Sequence, residues 1–324
     1  MEVHGGGTAP ELGPEDEGHH PIGDDETWQE SVVLVWWDLA AEVGGMHRIG
    51  YEPNWRDGGQ VSLWNNIFSA DAVFKRSATI PLTDVNPTGT VFSSGDGTCQ
   101  FEYTDHAIWT ISEKEVQAEL HVTDAHTPVD IYPKQSTLGR DFAPNHMEVG
   151  GTVRGTCTID GHRCDIDGLA FRDHGWGTRQ WDTMLSHRWV AGALAPDFSF
   201  FAVSFHTTDD EIVGFGCVIR EGVLFYAQVD IVAYLEVDGL THRGGRVTMS
   251  LTTGETLVLE CDALQKGTVS WIHGIACVDT MCRVTLGDRV GMCDFEMTNN
   301  ALRGSHQPRR AIGGYIENGL HRIR

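Results

Sequence analysis

Read as a pattern of apolar and polar positions, the chain is β almost throughout beyond its first 23 residues. "ESVVLVWWDL" and "GQVSLWNNIFS" are runs rich in β-branched and aromatic residues, with "GGMHRIGYEPN" between them. Further on, "HRWVAGAL", "FSFFAVSFH", "EIVGFGCVIR" and "VLFYAQVDIVAYLEVDG" read as successive strands. Several of these are apolar on both faces, which places them between two packed layers. Turn signals recur at Asp57-Gly58-Gly59, Asp160-Gly161, Asp238-Gly239 and Thr253-Gly254. With 38 glycines and hardly a helical stripe longer than a turn or two, the pattern predicts an all-β sandwich or barrel. Only "SEKEVQAEL" fits a short helix, and it fits a strand equally well.

One hairpin carries the candidate chemistry. "TVRGTCTI" enters the turn Asp160-Gly161 and "HRCDIDGLAFRDH" returns from it. Alternation puts Leu169, Phe171 and Asp173 on one face of the returning strand, and Ala170, Arg172 and His174 on the other. A carboxylate following Leu and Phe along one face is unusual. Gly175 and Gly177 predict that the chain leaves the strand there, with Asp173 at its end and pointing inward. Two roles are open to Asp173: a turn-capping or arginine-paired aspartate (with Arg172 or Arg179), or an acid in an aromatic pocket. Three other patches are candidates to line that pocket. Trp36 and Trp37 face opposite sides of their strand, His146 and Glu148 share a face, and "FSFFAVSF" divides its phenylalanines between faces. Core packing is the competing explanation for the aromatic residues, and a core or turn role for His146.

Length and charge narrow the picture. At 324 residues the chain has room for two domains with real cores. The expected division is a disordered acidic tail over 1–23, a β domain over 24–182 and a second over 183–324. A net charge of −23 leaves nothing to neutralise phosphates, so nucleic acid and anionic lipid are excluded as partners. No apolar run approaches the ~20 residues of a membrane span. "MEVHGGGTAP" has neither the basic nor the apolar region of a secretory signal, so a cytoplasmic location is expected. The 8 cysteines form no C-x-x-C pair and read as buried free thiols. There is no dinucleotide fingerprint, phosphate-binding loop or nucleophile elbow. "HVTDAH" lacks zincin spacing. No metal ligand set is legible from spacing, although clustering in space stays open.

At "FRDHGWGTRQW" the sequence resembles the carotenoid 1,2-hydratase (CrtC-like)/AttH-like superfamily, whose members carry an Asp-His-x-Trp-Gly signature, here Asp173 to Gly177. "NHMEVGGTVRG" and the hairpin are also similar to related two-domain proteins. The likeness spans most of 24–324 in layout, with its specific residues in 146–181. It implies two lipocalin-like antiparallel β-barrel domains, with an active-site cavity near their junction. It also implies cofactor-free acid catalysis on apolar, isoprenoid alkenes or alcohols: hydration, dehydration, cyclisation or, in some members, pericyclic reaction. Asp173 inherits the role of proton donor. His146 matches an upstream histidine by position, and Glu148 stands where those enzymes have a tryptophan.

That chemistry makes physical demands. Protonating an alkene requires a protonated acid, and apolar surroundings favour the neutral carboxyl. The resulting cation is stabilised by aromatic faces at ~0.5–2 kcal/mol each, and a base must then activate water or take a proton. The expected catalytic residues are therefore Asp173, His146 and Glu148. Trp176, Phe171, Trp36, Trp37, Trp181 and His174 are the expected substrate-binding residues. A small hydrophobic substrate is the expected partner, no cofactor is called for, and a homodimer stays open. The alternatives are a lipocalin-like carrier of a hydrophobic ligand and a pericyclase of the same fold.

Overall fold

The structure is a computed structural model that describes residues 1–5, 12–56, 58–69, 73–83, 87–130, 132, 142–208, 211–236, 241–300, 310–312 and 315–317. Strand β1 (Glu2–Val3) precedes a short 3-10 turn at Pro14–Glu17, then β2 (Trp28–Asp38), β3 (Val43–Glu52), β4 (Gln60–Ser69) and β5 (Val73–Pro81). Next come β6 (Val91–Ser93), β7 (Cys99–Tyr103), β8 (Ala107–Ser112), β9 (Val116–Asp124) and β10 (Val129–Asp130). The long hairpin β11 (Asn145–Ile159) and β12 (His162–Thr178) follows. Beyond it lie β13 (Met184–Ala195), β14 (Phe198–Thr207), β15 (Ile212–Arg220), β16 (Val223–Leu235) and β17 (His242–Leu251). The series ends with β18 (Thr256–Ala263), β19 (Thr268–Ile272), β20 (Ile275–Leu286), β21 (Arg289–Asn300), β22 (Arg310–Ile312) and β23 (Tyr315–Glu317).

The chain divides into two compact units between Gln180 and Trp181, with β1 joining the second. In the first, antiparallel strands run in the order β5-β4-β3-β2-β12-β11-β9-β8-β7-β6, a curled sheet whose two ends share no ladder among the described residues. In the second, β15-β14-β13-β21-β20-β18-β17-β16 closes on itself, because β16 pairs back to β15. Full closure removes the exposed edges that an open sheet must protect. The all-β, lipocalin-like architecture expected from the sequence is therefore present, closed in the second unit and open in the first.

Each unit has its own apolar interior. Val32, Leu34, Trp36, Ile49, Phe92, Phe101, Trp109 and Ala170 pack in the first. Val190, Phe200, Val218, Met249, Cys282 and Phe295 pack in the second. All eight cysteines are free thiols, and all but Cys164 are buried. No helix among the described residues is long and apolar enough to cross a membrane.

The turn chemistry behaves as read at Asp160-Gly161, where φ values of +49° and +81° give the left-handed pair a two-residue hairpin requires. Gly58, Gly59 and Gly254 also sit at positive φ, while Asp57 and Asp238-Gly239 fall outside the described residues. "SEKEVQAEL" is not a helix: Ser112 ends β8, 113–115 turn the chain, and Val116–Leu120 belong to β9.

Two expectations are corrected. β12 does not end at Asp173: it stays paired to β11 and β2 as far as Trp176 and Thr178 respectively. Gly175 remains in the ladder because its missing side chain makes room for neighbours, as described below. The acidic segment 12–23 is not a free tail either. Glu17 is 2% exposed, and its carboxylate forms a two-pronged bond with Arg172 of β12 at 2.6 and 2.7 Å. Asp124 holds the same guanidinium at 2.5 and 2.8 Å. Burial works against the Arg172 charge, but Asp124 and Glu17 outweigh it and stabilise the protonated guanidinium beyond its ordinary range. A segment without hydrophobic period is thus ordered by charge.

Candidate active site

The register of the β11–β12 hairpin builds the site. Glu148 stands directly opposite Asp173, and His146 opposite Gly175. On the other flank Asp173 pairs with Val33 and Phe171 with Val35. Alternation therefore gathers His146, Glu148, Asp173 and Phe171 on one face, and all four are buried. This is not the face that carries Val32, Leu34, Trp36 and Ala170 into the interior. Asp173 thus points away from the first unit's core, contrary to expectation, yet is only 7% exposed.

His146 is the hub. Its Nε2 meets Asp173 Oδ2, while its Nδ1 lies 3.7 Å from Glu148 Oε1 and 3.5 Å from the Tyr132 hydroxyl. The Tyr132 ring lies nearly parallel to the imidazole, at 5.9 Å. Burial pushes the Tyr132 phenol well above its ordinary range, so it stays a neutral donor. A Cβ built on Gly175 would come within 2.7 Å of Arg179 Nη2 and 2.9 Å of His146 Cδ2. Glycine is therefore required here by close approach of the imidazole and guanidinium. Arg179 is itself buried, with its guanidinium over the Phe142 ring at 5.5 Å. One histidine placed between two carboxylates can pass a proton from one to the other, which is what acid–base catalysis needs. The same donor types also suit a divalent ion.

A second group lies on the opposite face of β12. His174 Nε2 is 3.2 Å from Glu30 Oε1. His20 Nδ1 reaches the same oxygen at 2.7 Å, and His19 Nδ1 reaches Glu30 Oε2 at 2.9 Å. Burial alone would raise the Glu30 carboxyl, but bonds from His174, His19 and His20 outweigh it and hold the group well below the usual carboxylate range. Trp176 belongs to this side: its ring stacks on His20 at 3.8 Å and 7°.

Of the residues expected at the site, the structure brings together Asp173, His146, Glu148 and Phe171. Trp37 shares their face but sits opposite Leu169, farther along the ladder. Trp36 is fully buried in the core, where its indole N–H donates to His47 Nε2 at 2.9 Å. His174 and Trp176 face away from Asp173, because the strand continues in regular alternation past Gly175. Trp181 begins the second unit, where it lies near His273 at 5.9 Å. Sequence reasoning missed Tyr132, Glu30, His19 and His20. Glu30 did carry a signal, since it falls on the same alternating face as Val32, Leu34 and Trp36.

Fold and site together define a lipocalin-like β protein of two units, with a buried Asp–His–Glu cluster on its longest hairpin. The chain belongs to the DUF7064 family, a domain of unknown function whose model matches residues 13–301. Its fold is similar to that of a protein assigned to AttH from Nitrosomonas europaea, with a TM-score of 0.68 at 13% identity, covering 93% of this chain and 99% of that one. It is also similar to CghA, solved with Sch210972, with a TM-score of 0.61 at 10% identity, covering 85% and 89%. No curated protein matches the sequence.

Proposed function

We propose that the protein is a cofactor-free acid–base enzyme, a hydratase, dehydratase or cyclase acting on a hydrophobic, isoprenoid alkene or alcohol. The observation that carries this reading is the pairing of a buried aspartate with a histidine instead of an arginine. An arginine fork would lock Asp173 as a permanent anion, whereas an imidazole can hand it a proton and take one back. In the forward step the Asp173 carboxyl gives its proton to the substrate carbon or leaving oxygen. His146 then takes the proton released by the added water or by the cation, and Glu148 on the far side of the ring supports the imidazolium so formed. The imidazolium returns a proton to Asp173. Phe171 supplies apolar surroundings on the same face.

The test is product analysis after incubation with terpenes, terpene alcohols and steroids, for the native chain and for Asp173→Asn. The proposal expects a new product from the native chain and loss of turnover by about a thousandfold in the variant, since positioned acids contribute ~10²–10⁴. Retained turnover in a folded Asp173→Asn protein would remove Asp173 from the mechanism. A second reading, carriage or pericyclic conversion of a bound ligand, is favoured by the small molecule held in CghA. A carrier returns every ligand unchanged, and a pericyclase is indifferent to Asp173→Asn.

A further inference from the structure

We infer that His20, Glu30 and His174 form a binding site for a first-row divalent transition ion such as Zn2+, separate from the Asp173 cluster. One nitrogen from each histidine and one Glu30 oxygen lie within 4.8 Å of one another. Two imidazoles and a carboxylate are the donor set such ions prefer over Mg2+ or Ca2+, which favour oxygen alone. The Glu30 and His174 side chains are buried, so no bulk solvent competes for them.

Counting protons makes the case for a cation. Glu30 Oε1 faces three nitrogens: the His20 backbone N–H at 3.0 Å, His20 Nδ1 at 2.7 Å and His174 Nε2 at 3.2 Å. A carboxylate oxygen offers about two acceptor sites, so a purely hydrogen-bonded arrangement overloads it. An ion sharing one Oε1 lone pair and taking the bare nitrogens of His20 and His174 removes that conflict. His19 lies outside this ligand set and ties the cluster to β6: its Nε2 is 3.0 Å from the Val91 carbonyl and its Nδ1 2.9 Å from Glu30 Oε2. The stacking of His20 on Trp176 fixes the ring for this purpose. Such an ion would tie residues 19–20 to β2 and β12. Three protein ligands also leave a coordination position for water or another small ligand.

The experiment is titration of chelator-stripped full-length protein with Zn2+ by calorimetry and with Co2+ by visible absorption. The inference expects one equivalent bound, with cobalt d–d bands typical of nitrogen–oxygen coordination. Affinity should drop about a hundredfold in Glu30→Gln and in His20→Ala, the latter being the milder change should Glu30→Gln fail to fold. In His146→Ala, Zn2+ affinity should stay within about threefold of native. No binding by the stripped native protein would overturn the site. So would unchanged affinity in folded His20→Ala, or loss of binding in His146→Ala with retention in His20→Ala, which would put the ion at the Asp173 cluster.

Discussion

Asp173 and His174 are consecutive, yet they build opposite kinds of site. On the Asp173 face one histidine serves two carboxylates, and on the His174 face three histidines serve one carboxylate. The ratio decides what each can do. Around His146 one ring nitrogen faces each of the two carboxylates, so a proton can pass between them through the imidazole. Around Glu30 three imidazoles converge on one carboxylate and hold it well below its usual range, so it cannot deliver a proton near neutrality. Regular alternation along a single strand thus separates a group suited to proton transfer from a group suited to holding charge in place.

The largest effect that tests this contrast is Asp173→Asn. It should lower turnover about a thousandfold, equivalent to roughly 4 kcal/mol of transition-state stabilisation. Unfolding free energy in urea should shift by no more than about 1 kcal/mol, because Asn keeps the shape and can still bond His146. A stability loss as large as the activity loss would make Asp173 a structural residue.

Next is Arg172→Met, on the His174 side. It leaves Glu17 buried without its counter-ion and should cost about 3–5 kcal/mol in urea unfolding. Combining it with Glu17→Leu and Asp124→Leu should restore much of that stability, since the penalty comes from the orphaned charges and not from lost packing. If the triple variant is no better than the single one, the cluster contributes by geometry that apolar side chains do not reproduce.

Much of this arrangement was legible in the sequence. The β pattern, the Asp160-Gly161 hairpin and the shared face of His146, Glu148 and Asp173 all follow from alternation and turn chemistry, which are local. The placement of Trp176 was not legible, because Gly175 reads as a break. It stays in the strand paired with His146, 29 residues away, and the His146 ring and Arg179 guanidinium take the space a side chain would need. Likewise nothing local in "EDEGHHPIGD" shows that Glu17, His19 and His20 are folded. Their partners Arg172, Glu30 and His174 lie between 10 and 155 residues away, and charge pairing has no period to read.

The core-facing side of the sheet also holds His47, which gives a smaller and pH-dependent effect. It accepts from Trp36 at Nε2, so the proton it carries is on Nδ1, toward Asn65 Oδ1 at 2.7 Å. Burial, partly offset by the Asn65 bond, lowers its pKa from 6.5 to about 4. The folded value lies below the unfolded one, so the unfolded chain binds the proton first as pH falls. The contribution is complete above about 6.5 and is lost as pH drops toward 4, amounting to about 3 kcal/mol. His47→Gln should be less stable at neutral pH but should flatten the curve of unfolding free energy between pH 7 and 4. An unchanged slope would assign that acid sensitivity elsewhere.

The smallest effect concerns which nitrogen of His146 carries the proton. Tyr132 O–H is a neutral donor 3.5 Å from Nδ1. If it donates there, the His146 proton sits on Nε2 and points at Asp173 Oδ2, which then acts as its acceptor. If Nδ1 is protonated instead, toward Glu148, Nε2 is bare and Asp173 holds the acidic proton. The proposed mechanism needs the second state when substrate arrives, so the Tyr132 bond is a competitor and not a requirement. At 3.5 Å it is also at the long end of useful hydrogen bonds, with a net contribution of at most about 0.5–1.5 kcal/mol. Tyr132→Phe should therefore leave turnover within about threefold of native, or raise it slightly, when assayed beside Asp173→Asn on the same substrate. A loss approaching that of Asp173→Asn would reverse the assignment, making His146 the resting proton carrier and Asp173 its base.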